Sequence, residues 1–199
     1  MLPKVKLEIK DKNLKLDKIF PAPVEKIWLE IGFGSGENIK WQLDNNKDIG
    51  FIACEPYING IADLLILLDK EQLRRIKIYN GDVRDLFQIF NPNTFEKVFI
   101  LFPDPWPKKK HYKRRIIQKA TLNTINIIMI LGGELRISSD DYSYACWIMH
   151  HIINDNNYKW VAKCKKDYLH KPDSWPNTKY QEKAYKKGHT SYYFKLLKV

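Results

Sequence analysis

The chain has 199 residues, 44% of them hydrophobic and 13% aromatic, which is enough to bury one core, too few for two full domains, and incompatible with wholesale disorder. Its 34 Lys and Arg against 23 Asp and Glu leave a formal charge of +11, which favours a polyanionic partner, most often nucleic acid, with a solubilising excess as the plain alternative. No stretch approaches the roughly 20 apolar residues of a membrane span. The opening MLPKVKLEIKDKNLK interleaves charged with apolar side chains, so neither a secretory signal nor a membrane role is expected and the cytoplasm is the expected location.

Residues 1–25 are basic, carry Pro21 and Pro23 and show no long period; they read as an arm or short first elements ahead of a domain spanning 26–199. From there the runs KIWLEI (26–31), IGFIAC (49–54), IKIYN (76–80) and KVFILF (97–102), rich in Ile, Val and Phe, alternate with helix-length segments. That alternation predicts a parallel sheet with helices on both faces. Ile58 to Leu73 and Ile116 to Leu131 carry Leu and Ile at helical spacing and read as two helices, the second stopped by Gly132 and Gly133. ELRIS (134–138) reads as a fifth strand, residues 141–154 as another helix, and KWVAKC (159–164) and SYYFKLLKV (191–199) as the last two strands. Between those strands lies a polar stretch, 165–190, with Pro172, Pro176 and Gly188; it is too long for a hairpin turn and is expected to be functional.

Cys54, Cys146 and Cys164 are widely spaced with no CxxC pair, and His150 and His151 are adjacent rather than four apart, so neither a disulfide framework nor a metal site is expected. The first strand instead runs into EIGFGSGEN, where Gly32, Gly34 and Gly36 allow a tight turn and close backbone approach to a ligand, although a purely structural turn has the same look. Glu55 ends the second strand nineteen residues past Gly36, near the spacing of roughly 20 for an acid that binds ribose hydroxyls. Asp82 ends the third strand, where it can accept from an adenine amino group or cap a helix, and Asp104 closes the fourth. Ligands of open α/β sheets bind beyond the carboxyl ends of the strands, so Glu30, Glu55, Asp82 and Asp104 are expected in one crevice. Clustered carboxylates repel phosphate and suit a cationic ligand, such as S-adenosylmethionine with its sulfonium and ammonium.

After the fourth strand the chain reads FPDPWPKKKHYKRR, from Phe102 to Arg115. Pro103, Pro105 and Pro107 stiffen the exit and present Asp104 and Trp106 from a rigid turn. The basic run Lys108 to Arg115 reads as a phosphate grip beside that turn, or as a solvated helix start.

LEIGFGSG, CEPY, GDVRD, FPDPWPKKKHYKRR, SSDDYSYA and TKYQEKAYKKGH, spread from Leu29 to His189, together resemble the bacterial tRNA (guanine-N7)-methyltransferases. The PDPWPKK block is far more specific than the glycine turn, which many methyltransferases share. The resemblance implies the α/β fold of class I S-adenosylmethionine-dependent methyltransferases: a doubly wound, mostly parallel seven-stranded sheet with an antiparallel final strand. It implies S-adenosylmethionine as methyl donor, a guanine in the tRNA variable loop as acceptor, and no obligatory protein partner. Glu30, Gly32, Gly34, Glu55, Asp82 and Asp104 are then expected at the cofactor, with Asp104 shared with the acceptor as the catalytic residue. Lys108, Asp140, Thr178, Lys179 and Gln181 are expected at the RNA, the last three within a substrate-binding insertion at about 165–190.

The family generally reads Thr-Lys-Phe-Glu where this chain has Thr178, Lys179, Tyr180 and Gln181, and Lys183, Ala184 and Lys186 stand where arginine, glycine and arginine are usual. Gln181 keeps an acceptor without the charge, and lysine lacks arginine's bidentate fork. That segment motivates the alternative of an RNA-binding protein without transfer activity. A nicotinamide dehydrogenase is disfavoured by the GxGxG spacing and by the third and fourth acids.

Overall fold

In a computed structural model that describes residues 2–8, 18–186 and 188–199, one seven-stranded sheet carries the chain. Its strands are β1 (Lys26–Ile31), β2 (Ile49–Cys54), β3 (Ile76–Tyr79), β4 (Phe95–Leu101), β5 (Met129–Ser139), β6 (Tyr158–Trp160) and β7 (Tyr192–Lys198), in spatial order β3-β2-β1-β4-β5-β7-β6. The first five are parallel, while β7 runs antiparallel to both β5 and β6. The helices are α1 (Leu2–Val5), α2 (Glu37–Asn45), α3 (Ile58–Leu67), α4 (Lys70–Leu73), α5 (Lys119–Ile128), α6 (Tyr142–Ile153), α7 (Lys166–Leu169) and α8 (Lys179–Lys186). In α8, the side chains of Lys179, Tyr180, Lys183 and Ala184 lie outside the described set.

Strands buried on both faces explain the nearly continuous apolar runs. Every residue of β2 is buried, and alternate side chains feed opposite layers: Ile52 and Cys54 join one core cluster, Ile49, Phe51 and Ala53 the other. The first layer includes Leu122, Ile125 and Ile128 of α5 with Ala145, Ile148 and Ile152 of α6; the second includes Ile39 and Leu43 of α2 with Ile61 and Leu64 of α3. In the second layer the rings of Trp28, Phe51 and Phe99 meet with centroids 5.8–6.1 Å apart.

Three expectations shift. The Ile58–Leu73 segment is two helices, because Asp69 accepts from the Gln72 backbone and Gln72 answers to the Asp69 N–H, a capping box that starts α4 afresh. Gly132 and Gly133 do not stop a helix; α5 ends at Ile128, and both glycines lie inside β5. There the register jumps from Phe95↔Met129 to Lys97↔Glu134, so Ile130 to Gly133 bulge opposite Glu96, with Gly132 at φ 74° and no room for a Cβ at Gly133. Of KWVAKC, only Lys159 and Trp160 fall within β6.

The described part of the N-terminal arm packs on the sheet. The Leu7 N–H donates to the Ile78 carbonyl (2.7 Å), Val5 and Leu7 are buried, and the Phe20 ring covers Gly50. Residues 9–17 of the expected arm lie outside the described residues. Among the described residues no helix is long and apolar enough to cross a membrane.

Candidate active site

The carboxyl ends of the parallel strands β1 to β4 open into one cavity of about 770 Å³, and Glu30, Glu55, Asp82 and Asp104 all line it. Gly32 (φ 73°) and Gly34 (φ 56°) turn the chain from β1 towards α2 in the left-handed region that disfavours side chains, and the space a Cβ would occupy at either is open. The glycine turn is therefore both conformationally demanding and the cavity's floor.

Each carboxylate is held differently. Glu30 is 2% exposed and accepts one hydrogen bond from Asn38 Nδ2 (2.8 Å). Burial pushes its carboxyl up to about 8; Asn38 pulls the other way and the Glu55 charge adds to the rise. Glu55, also buried, accepts from the backbone N–H groups of Gly34 (2.9 Å) and Tyr57 (3.0 Å), so it ties the glycine turn to the end of β2. Burial raises its pKa, the two N–H bonds counter it, and the Asp104 charge raises it further. Asp82 caps the 3-10 turn Val83–Asp85 and is gripped by the Arg84 guanidinium through Nε (2.9 Å) and Nη2 (2.6 Å), which lowers its pKa. Asn80 bridges from β3 to the Glu55 and Pro56 carbonyls (3.0 Å each).

Asp104 contrasts with these three. It is exposed, three residues beyond β4, in a loop whose Phe102 (φ 50°) and Trp106 (φ 43°) are held in the left-handed region. Such backbone is unfavourable for non-glycine residues and persists only where neighbours over-determine it. Here Phe102 N–H donates to the Ser138 carbonyl (3.1 Å), and Arg115 Nε donates to the Pro105 carbonyl (2.8 Å).

Beyond the loop, Lys109–Arg114 forms a 3-10 turn rather than an α-helix start. Lys108, Lys109, Lys110, Lys113 and Arg114 are exposed, and Arg114 lies over the Trp106 ring (4.8 Å) and reaches the cavity. Arg115 departs from the expected basic grip: it is 1% exposed, packed among aromatic rings. Thr178 lines the cavity, and its Oγ1 accepts from the Gln181 N–H (3.2 Å). The Gln181 side chain turns inward, 4% exposed, and donates to Tyr193 Oη (2.5 Å). Asp140 does not line the cavity; its carboxylate faces His189 Nδ1 at 3.7 Å. The Lys179 side chain is outside the described set.

Residues 24–194 match the family described as "Putative methyltransferase". A tRNA (guanine-N(7)-)-methyltransferase of Chelativorans sp. (strain BNC1) is 34% identical over 200 residues, covering 100% of this chain and 86% of the relative. The enzyme of the same description from Zymomonas mobilis subsp. mobilis is 36% identical over 170 residues, covering 85% of this chain and 74% of the relative. The chain belongs to the tRNA (guanine-N7)-methyltransferase family. Among solved structures, an rRNA methylase from Streptococcus thermophilus matches with TM-score 0.59 at 13% identity, over 88% of this chain and 87% of that one. A "putative methyltransferase" from Streptococcus mutans in complex with SAH matches with TM-score 0.54 at 14% identity, over 88% of this chain and 90% of that one. At such identities these two matches carry the class I methyltransferase fold alone.

Two features of this family member escaped the sequence reading. Arg84 could have been suspected, since an arginine two residues past a strand-end aspartate can fold back onto it. Arg115 could not, because nothing in a run of six cations distinguishes the one that is buried.

Proposed function

We propose that this chain transfers the methyl group of S-adenosylmethionine to N7 of a guanine in the variable loop of tRNA, and does so in the cytoplasm. The carrying observation is one cavity lined by four strand-end acids, the last of which, Asp104, is exposed beside a surface turn of lysines. The residues fit such a cofactor. Glu30 is a buried carboxyl whose one hydrogen-bond donor among the described residues is Asn38, with a pKa pushed to about 8, a group that a ligand ammonium would stabilise as carboxylate. Each oxygen of Glu55 accepts one N–H and retains lone-pair capacity for ribose hydroxyls, while Gly32 and Gly34 leave the floor open. A pyrophosphate would supply no cation to ionise Glu30 and would meet the negative charge of Glu55 and Asp104. Asp82 would serve the adenine end, sharing its carboxylate with Arg84.

Bound there, S-adenosylmethionine supplies an electrophilic methyl group on a sulfonium. Guanine N7 carries an exposed lone pair, so no proton need leave that nitrogen and positioning dominates the chemistry. Asp104, exposed at the cavity, would hold the acceptor and offset the positive charge that develops on its ring. Lys108, Lys109, Lys110, Lys113 and Arg114 would take backbone phosphates, supplying affinity and register. Thr178 at the cavity, together with Lys179 and Asp140, would contact the RNA; Gln181 would anchor α8 to β7 rather than read a base.

The test is radiolabelled methyl transfer to bulk unmodified tRNA, followed by mass-spectrometric mapping of the product. 7-Methylguanosine in the variable loop is expected. Saturable tRNA binding without transfer would favour a non-catalytic RNA-binding protein, and a methyl group on another atom would overturn the acceptor.

A further inference from the structure

Arg115 is the last cation of the run that begins at Lys108, yet it is 1% exposed while its lysine neighbours lie on the surface. A guanidinium stays charged at any pH a protein survives, and burying it is unfavourable unless its charge and N–H groups are answered. Three rings answer the charge: Tyr112 at 3.8 Å, Tyr144 at 4.9 Å and Trp147 at 4.9 Å from Cζ. Its Nε donates to the Pro105 carbonyl at 2.8 Å, and Nη2 is buried without a partner among the described residues. So unfavourable a placement on grounds of solvation suggests a task beyond filling space.

The task is visible in what the bond holds. Pro105 lies between Asp104 and Trp106, and Trp106 sits at φ 43°. A proline offers no N–H, so its carbonyl is the one backbone handle at that position. Behind Arg115 the chain is clamped to α6: the Ile117 N–H donates to Tyr144 Oη (3.3 Å), and Trp147 Nε1 donates to the Ile117 carbonyl (2.7 Å). Tyr144 is itself fixed, since its N–H is the one that Asp141 caps. A rigid path therefore runs from the start of α6 through Arg115 to the strained loop that bears Asp104. Arg115 is not among the residues lining the cavity, although its chain neighbours Arg114 and Ile116 are, so it acts on the site through the backbone it holds and not by touching a ligand there.

We propose that Arg115 is a positioning residue for methyl transfer, fixing through the Pro105 carbonyl the place at which Asp104 meets the acceptor. This rests on the methyl-transfer reading above. Lysine would keep the charge but not the planar face and directed N–H that lie against rings and carbonyl together, so the role belongs to the guanidinium.

The test compares Arg115→Met, which keeps bulk without charge, and Arg115→Lys with the wild type in kcat, KM for tRNA, S-adenosylhomocysteine affinity and Tm. Arg115→Met is expected to keep the wild-type Tm and S-adenosylhomocysteine affinity while kcat falls about 100-fold, the scale of a small misplacement of a reacting group. Arg115→Lys is expected to recover part of that loss, and KM for tRNA to stay within about threefold of the wild type, because positioning acts after binding. An inactive wild type would overturn the methyl-transfer reading and this inference with it. An active wild type beside an Arg115→Met variant of unchanged kcat would overturn the role of Arg115 alone, as would a parallel fall of kcat, Tm and S-adenosylhomocysteine affinity. If Arg115→Met does not fold, Tyr112→Leu decides, since it removes one half-buried wall of the box: a lower kcat at unchanged S-adenosylhomocysteine affinity supports the inference, and an unchanged kcat overturns it.

Discussion

The two sides of the cavity use charge in opposite ways. On the side of β1 and β2 the acids are buried: Glu30 and Glu55 are 2% and 4% exposed and bonded to Asn38, Gly34 and Tyr57. Beyond β4 the acid is exposed, and the charges around it are surface lysines and an arginine lying on Trp106. A buried acid suits a small cation taken out of water, whereas exposed lysines suit a polyanion whose counterions must be released. Each side is arranged for a partner of opposite sign, and neither arrangement would serve on the other.

The sharpest way to break this comparison is Asp104→Asn. Turnover is expected to fall about 100-fold or more while tRNA affinity stays within about threefold, because the carboxylate matters most when charge develops on the acceptor. Equal losses in kinetics and filter binding would place Asp104 in RNA binding instead.

Glu30→Gln tests the buried side. With its folded pKa raised to about 8, Glu30 binds a proton that the unfolded chain releases at about 4.3, so its contribution to stability is full below the unfolded value and is lost as pH rises towards 8. The Gln variant should therefore match the wild type near pH 4 and exceed it by a few kcal/mol at pH 8 in the absence of ligand. It should also bind S-adenosylhomocysteine about tenfold more weakly at pH 8, through loss of a carboxylate for the ammonium. A denaturation series in pH and a calorimetric titration check both; a stability difference that grows as pH falls would overturn the sign.

Replacing Lys108, Lys109 and Lys110 by Ala tests the exposed side. The slope of log affinity against log salt should flatten by about 2 to 3, at roughly 0.7 to 0.9 per lost phosphate contact, with S-adenosylhomocysteine binding unchanged. An unaltered slope would make the run merely solvated. The smallest effect is expected from Gln181→Glu, which restores the glutamate usual in the family at a side chain that here faces Tyr193. Tyr193 can reverse its hydroxyl to donate to the new carboxylate, so tRNA affinity should move by less than about threefold. A larger gain in a binding assay would mean that the side chain turns outward on RNA.

The strands before β5 were legible because each is a short β-branched or aromatic run buried on both faces, and the acids at their ends were legible because a strand end is a fixed place relative to the crevice. The start of β5 was not. In TINIIMILGGEL the apolar residues run on from helix into strand without a polar break, and periodicity offers no boundary between Ile128 and Met129. Only pairing with Phe95 decides that Met129 is extended.

Local chemistry alone determined the parallel sheet, the glycine turn and the four acids at its mouth, because these depend on side-chain period and on where a strand stops. Tertiary contacts alone decided which charged and polar groups face water. Arg115 is buried by Tyr144 and Trp147 of α6, and Gln181 by Tyr193 of β7, partners twelve to thirty-two residues away. The burial of a polar side chain depends on whether another element arrives with a ring or a hydrogen-bonding group to replace water, and no local pattern in the chain encodes that arrival.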